Sequence, residues 1–245
     1  MLLNIIIGKN SNLSEQLLTK IENSISISSR EIIKNVDILK PYLSENINLI
    51  FNNFQTSINL NNICDTNSYI ENSILCTAKV LEFFKKSNLN KIIYTSSSSV
   101  YGNNNLCKES DELHPTNLHS SLKISNEKLI QKHCLDQNIN YTITRIFNMY
   151  GGNDKFSILS KLLNAYKNNE IITIVNNGNA IRDFIHIDDV VTIYLKLLES
   201  KQVKILNIGT GVGNSIKNML DFLSNNKIEL IIENIFSRWE NWKSN

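Results

Sequence analysis

Glycine and proline are scarce in this chain, 8 and 2 of its 245 residues, and its cysteines and histidines, four of each, are dispersed. Cys64, Cys76, Cys107 and Cys134 show neither C-x-x-C spacing nor nearby histidine pairs. They read as reduced structural thiols of a cytoplasmic protein. His114, His133 and His186 have no partner spacing that suggests a metal, so no metal site is expected. Basic and acidic residues nearly cancel, 25 against 23, which gives no basis for a nucleic acid or an acidic membrane as partner. The apolar start, MLLNIII, is far too short to cross a bilayer and lacks a basic leader, so a buried strand is expected there and not a signal peptide. No internal repeat or disordered linker is evident. Asparagine, isoleucine, lysine and serine are overused, and the asparagines fall both inside and between periodic segments, as a coding bias would place them.

A chain of this length suffices for one sizeable core, or one core carrying a small second lobe. Its 42% hydrophobic and 20% charged residues are those of an ordinary globular protein. Short apolar runs at Leu2–Ile7, Ser24–Ile27, Asn48–Phe51, Lys91–Thr95, Thr142–Phe147 and Lys204–Ile208 predict buried strands. Between them Ser14–Asn23, Asp65–Ser87, Ser120–Asn138 and Ile187–Ser200 place apolar residues at three- and four-residue steps, which predicts helices. This alternation implies an α/β fold, a parallel sheet with helices on both faces. Ligands of such sheets bind beyond the carboxyl ends of the strands, and the informative loops, at Gly8, Asn52, Ser96 and Asn148, do follow predicted strands. The asparagine patches Asn103–Asn105 and Asn176–Asn179 read as turns, and the tail around Arg238-Trp239-Glu240-Asn241-Trp242 as a packed amphipathic end.

Two blocks carry the chemistry. Tyr94-Thr-Ser-Ser97-Ser-Ser-Val-Tyr-Gly102 ends a predicted strand, and His119-Ser-Ser-Leu-Lys123 opens a predicted helix. Further on come Thr144-Arg-Ile-Phe-Asn148-Met-Tyr-Gly151, Gly178-Asn-Ala-Ile-Arg182-Asp-Phe-Ile-His-Ile-Asp-Asp189 and Asn207-Ile-Gly209-Thr-Gly211. In this order, from residue 2 to about 223, the chain resembles the extended short-chain dehydrogenases/reductases, the NAD(P)-dependent group that epimerises, dehydrates or reduces nucleotide-linked sugars. The resemblance implies a doubly wound, Rossmann-like sheet with a small, discontinuous C-terminal substrate lobe. Residues 1–150 and 184–208 would form the dinucleotide-binding domain, and 151–183 with 209–245 the substrate lobe. It also implies a homodimer through helices 65–87 and 120–138, where Ile70, Ile74, Val80 and Phe84 exceed what one buried stripe requires.

By the same resemblance Ser97 holds the reacting sugar oxygen with Ser98 beside it, Lys123 binds the nicotinamide ribose, and Asn72 completes a catalytic tetrad. Asn148 and Arg182 contact the substrate diphosphate, a role for which a planar guanidinium is suited. Asp183 and Asp189 read as capping and loop-ordering residues. The family's catalytic Tyr is replaced by His119. An imidazole can move protons near neutral pH, but it is shorter than a phenol, and a nearby Lys123 disfavours imidazolium. His119 is therefore either an acid/base or a residue that caps and packs the helix start. Ser98 and Ser99 stand where the related 4,6-dehydratases carry Asp-Glu, so dehydration is not expected; C4 keto-reduction or epimerisation, which needs only hydride and proton transfer, is.

The cofactor loop, Gly8-Lys9-Asn-Ser11-Asn12-Leu13-Ser14, stands where the family has three glycines. Glycine serves there because a Cβ obstructs the tight turn and the approach to pyrophosphate. Asn53, after the third strand, joins the cofactor set. Some 20 residues past the loop, where NAD enzymes place an acidic residue, the chain has Ser28-Ser29-Arg30. Ser29 and Arg30, with Lys9, suit a 2′-phosphate, so NADP(H) is expected over NAD(H), although Glu31 keeps NAD(H) open. The alternative to an enzyme is a catalytically impaired homologue that binds a nucleotide or nucleotide-sugar.

Overall fold

Runs of isoleucine, leucine and phenylalanine make the strands of the central sheet, because branched and aromatic side chains fit a surface buried on both faces. The computed structural model describes residues 2–53, 66–104 and 106–236. Cys64, Asp65, Asn105 and the Arg238–Trp242 motif lie outside the described residues. In chain order the elements are β1 (Leu2–Ile7), α1 (Asn12–Lys20), β2 (Ser24–Ile27), α2 (Ser29–Lys34), β3 (Asn46–Phe51), α3 (Thr66–Ile70), α4 (Cys76–Phe83), β4 (Asn88–Ser97) and α5 (Leu118–Gln137). They continue with β5 (Asn140–Ile146), β6 (Asn148–Tyr150), α6 (Ile158–Asn168), β7 (Ile171–Val175), β8 (Ile181–His186), α7 (Ile187–Glu199), β9 (Ile205–Ile208), β10 (Gly213–Ser215), α8 (Ile216–Asn225) and β11 (Ile231–Ile235). A π turn over Glu71–Leu75 joins α3 to α4, so the single helix expected over 65–87 carries an irregular turn at its centre.

Two compact units divide the chain, Met1–Ile146 with Ile187–Ile208, and Phe147–His186 with Gly209–Asn245. The first holds a six-stranded sheet in the order β2-β1-β3-β4-β5-β9, parallel throughout. Ile5, Leu49, Ile92 and Tyr141 sit side by side in register and face a core shared with Ile32, Val80, Phe84 and Ile130 of the helices. The alternate residues Ile6, Ile50 and Ile93 point the opposite way and are equally buried. On that second face Tyr194 of α7 bonds to Thr95 and Thr144, and α7 packs against α1. The doubly wound α/β fold is thus established. β2 and β9 are the outer strands, and α2 with a 3-10 turn over Val36–Tyr42 fills the stretch between β2 and β3.

The second unit carries a three-stranded sheet, β10-β8-β6, and a parallel pair, β11-β7. Leu162, Ala165, Ile172, Ile174 and Ile216 form its core. Phe147–Tyr150 and the last residues of β8, grouped with the nucleotide domain in the sequence reading, fall in this unit.

A few of the asparagines have a conformational reason. Among the described residues seven other than glycine have positive φ, and Asn23, Asn138, Asn169, Asn176 and Asn177 are five of them. Asparagine tolerates the left-handed region better than other residues carrying a Cβ. Asn138 and Asn169 accordingly end α5 and α6, where glycine commonly serves.

Candidate active site

Ile27, Ile7, Phe51 and Tyr94 stand in one row across β2, β1, β3 and β4, near the carboxyl ends of the strands. The residues that follow them, Gly8, Ser28, Asn52 and Thr95, therefore gather along one edge of the sheet. Gly8 has φ +110°, and a Cβ there would stand 2.4 Å from the Asn52 carbonyl oxygen. Only glycine fits that approach. Ser11 caps α1: its hydroxyl accepts from the Ser14 amide at 3.0 Å and donates to Ser14 Oγ at 2.8 Å. Asn52 Nδ2 also donates to Ser14 Oγ, and Asn52 Oδ1 accepts from Thr95. The hydroxyls that replace the missing glycines are thus held inside the loop. Leu13 is buried, Asn12 lies in the first turn of α1, and Lys9 and Arg30 are exposed.

Asn53 is buried, and its Nδ2 reaches the carbonyls of Asn72 and Ser73, each at 2.9 Å. The Asn72 side-chain amide bonds to Ser29 and Ser68. Its Oδ1 accepts from Ser29, and its Nδ2 donates to the Ser68 carbonyl. Asn72 therefore serves the β2 end of the edge.

On α5, His119, Lys123 and Glu127 repeat at four-residue spacing and so share a face. Asn117 and Ser120 close a capping box at the start of that helix. Lys123 is buried; its Nζ donates to the Thr95 carbonyl at 2.6 Å, two residues before Ser97, and lies 5.3 Å from the centre of the Tyr94 ring. Burial pulls its pKa from 10.5 down to about 7, against the opposing pull of Glu127. His119 is half-buried, with its ring edge-on to Tyr69. Burial, reinforced by the Lys123 charge, lowers its pKa from 6.5 to about 4. Ser97 accepts from the Ser99 amide at 3.2 Å, capping the 3-10 turn Ser98–Tyr101.

Beneath these residues lies a network the sequence reading missed. Glu127 and Arg145 form a buried ion pair at 2.8 Å. Ser96 donates to Glu127, and Arg145 Nη1 donates to the Tyr101 hydroxyl at 2.8 Å. Tyr101 donates in turn to Asn207 Oδ1 at 2.7 Å. The four-residue step from Lys123 to Glu127 was the available signal for it.

In the second unit, Asn148 Nδ2 donates to the Asp183 carbonyl at 3.1 Å, and Arg182 is exposed with Nη1 on the Ile181 carbonyl. The Asp183 carboxylate accepts from the Thr210 amide and hydroxyl and from the Gly211 amide. A Cβ at Gly209 would meet that carboxylate at 2.5 Å, so the Gly209–Gly211 motif is packed around Asp183. Among the described residues no three His, Cys, Asp or Glu side chains gather as a metal set, and no helix is long and apolar enough to cross a membrane.

A loop with an obligatory glycine, a strand ending in serines and a helix that brings lysine to that strand stand together at one edge of a parallel sheet. The model of the NAD dependent epimerase/dehydratase family matches residues 12–209, and the chain belongs to that family. It is 34% identical to the dTDP-D-glucose 4,6-dehydratase of Dictyostelium discoideum over 157 residues, 58% of this chain and 36% of that protein. With the putative UDP-glucose 4-epimerase of Methanocaldococcus jannaschii identity is 29% over 214 residues, 82% and 70% of the two chains. The chain thus spans little more than a third of the Dictyostelium relative. Its fold matches that of UDP-glucuronic acid 4-epimerase from Bacillus cereus, solved with UDP-glucuronic acid and NAD, at a TM-score of 0.84 and 22% identity over 97% of this chain and 87% of that one.

Proposed function

We propose that this protein modifies a nucleotide-linked sugar with NAD(P)(H), by C4 keto-reduction or epimerisation. The observation that carries the reading is Lys123, drawn by α5 onto the Thr95 carbonyl beside Ser97, on the sheet edge that also holds Gly8. Gly8, pressed against the Asn52 carbonyl where no Cβ fits, keeps the turn after β1 tight at the sheet edge where a dinucleotide would lie. Gly8, Lys9, Ser11, Asn12, Leu13, Ser29, Arg30, Asn53 and Lys123 form the cofactor side. When bound, the nicotinamide supplies the hydride acceptor and donor for the sugar C4 carbon. Ser97 and Ser98 hold the reacting oxygen. His119, neutral above about pH 4, takes the proton from that oxygen directly or through a water, and Lys123 keeps the centre electropositive. Asn148 and Arg182 of the second unit bind the substrate diphosphate, which makes that unit the substrate lobe. Exposed Arg30 and Lys9 favour NADP(H) over NAD(H). Ser98 and Ser99 offer no acid/base pair for dehydration. The free cysteines Cys76, Cys107 and Cys134 suit a cytoplasmic setting.

A second reading rests on the same residues. A histidine of low pKa is a poor proton donor near neutrality, and Ser11 turns its hydroxyl inward, both of which favour a non-catalytic nucleotide-sugar binder. Calorimetry and hydride-transfer assays with both dinucleotides and a panel of UDP- and dTDP-sugars separate the two. Binding with turnover supports the enzyme, binding without turnover the binder, and binding of neither class removes both.

A further inference from the structure

Ser29 follows β2, where sheets of this kind read the ribose of a dinucleotide, and its hydroxyl is engaged by a residue 43 positions away. Asn72 sits in the π turn between α3 and α4 with its amide almost wholly buried. Its Nδ2 donates to the Ser68 carbonyl at 2.7 Å and to Ser68 Oγ at 3.2 Å. A backbone carbonyl only accepts, so turning the amide over would set two acceptors against each other. The Ser68 carbonyl therefore fixes Asn72 Oδ1 towards Ser29. Ser29 Oγ lies 3.3 Å from Oδ1, and the hydroxyl must be the donor in that pair. A serine has one hydroxyl proton, and once it is committed the oxygen can only accept.

On the reading of this edge as a dinucleotide site, we infer that Asn72 is a positioning residue for cofactor choice: by holding the Ser29 proton it makes Ser29 an acceptor for a ribose 2′-hydroxyl and withholds it from a 2′-phosphate. A 2′-hydroxyl has a proton to give. A 2′-phosphate has acceptor oxygens and negative charge, so Ser29 helps it only by leaving Asn72, which leaves Oδ1 buried without its donor. Arg30 and Asn72 then act in opposite directions. The guanidinium attracts the phosphate, and the amide keeps the nearest hydroxyl from joining it. The preference for NADP(H) is smaller than the basic residues alone would give.

The test is calorimetric titration of the protein with NAD and NADP in four forms: unmodified, Asn72→Ala, Ser29→Ala and the double variant. Asn72→Ala frees the Ser29 proton and should move the affinity ratio towards NADP by about five-fold, the effect of one hydrogen bond of ordinary net strength. In the Ser29→Ala background the same substitution should leave the ratio unchanged, a result that mere loosening of α3 and α4 would not give. Ser29→Ala alone, at a partly exposed position that does not threaten folding, should weaken NAD more than NADP. The inference is overturned by an unchanged ratio in Asn72→Ala, by an equal shift in both backgrounds, or, if Asn72→Ala does not fold, by equal weakening of the two cofactors in Ser29→Ala. Binding of both dinucleotides without these shifts removes the inference alone. Binding of neither by the unmodified protein removes the dinucleotide reading with it.

Discussion

On the proposed reading, turnover at the centre depends on His119. Its ring meets Tyr69 edge-on, and its pKa of about 4 leaves it neutral through the physiological range. A phenol at this position reaches further than an imidazole, and Lys123, one turn on, is placed to lower a phenol's pKa. His119→Tyr should therefore raise or create hydride transfer to or from a nucleotide sugar. If His119 is itself the acid/base, His119→Tyr and His119→Ala should both lose rate, and the native pH profile should show one ionisation at acid pH. Inert native and variant proteins that still bind cofactor would leave the binding reading standing.

His119, Lys123 and other buried titratable groups impose a pH dependence on stability. His119 takes up its proton at about pH 6.5 when unfolded but only near 4 when folded, so the unfolded state binds more protons between those values. Stability should fall as pH drops from about 6.5 to 4. Lys123 and Lys91, with folded pKa values of about 7 and about 8 against 10.5, keep their protons longer when unfolded. Stability should rise from about pH 7, flatten above about 9 as the buried Cys76 and Cys134, whose folded pKa values are raised to about 12, begin to oppose the lysines, and fall above about 10.5. Urea midpoints across pH check both slopes; His119→Phe should flatten the acid one, and Lys123→Met should reduce the alkaline one.

At the scale of elements, the Glu127–Arg145 pair joins α5 to β5 and, through Ser96, to the end of β4. Removing one partner of a buried pair strands the other's charge and costs about 3–5 kcal/mol, whereas apolar replacement of both is far milder. Glu127→Ala should lose that much in chemical denaturation, and Glu127→Leu with Arg145→Met should recover most of it. Equal losses would show that packing, not charge, holds the helix. The alternation of strands and helices was legible in the sequence, since period two and period 3.6 leave distinct apolar patterns. The small strands of the second unit were not: Ile171-Ile-Thr-Ile-Val175 is apolar at four of five positions, which conceals the alternating burial it adopts.

At the scale of the molecule, the apolar excess on the helices after β3 has two explanations. Val80 and Phe84 are buried in the core of the first unit, while Ile70 and Leu75 are exposed, as are Leu118 and Leu135 of α5. That exposed set should support a homodimer through α3, α4 and α5. Sedimentation at micromolar concentration should show a dimer, and Ile70→Glu should shift it to monomer; a monomeric unmodified protein removes the proposal.

The sequence by itself determined the α/β class, the strands of the main sheet, the loops that meet at its edge, and the serines, lysine and arginine that carry the family likeness. Each is encoded locally, by periodicity or by a short ordered motif. Tertiary structure decided the rest. It brought the Asn72 amide to Ser29, set Glu127 on Arg145, placed the Gly209–Gly211 loop around Asp183, and lowered the His119 pKa by burial. Those outcomes depend on which donors and acceptors are brought within reach from distant parts of the chain, and on how much water burial removes, neither of which a local pattern records.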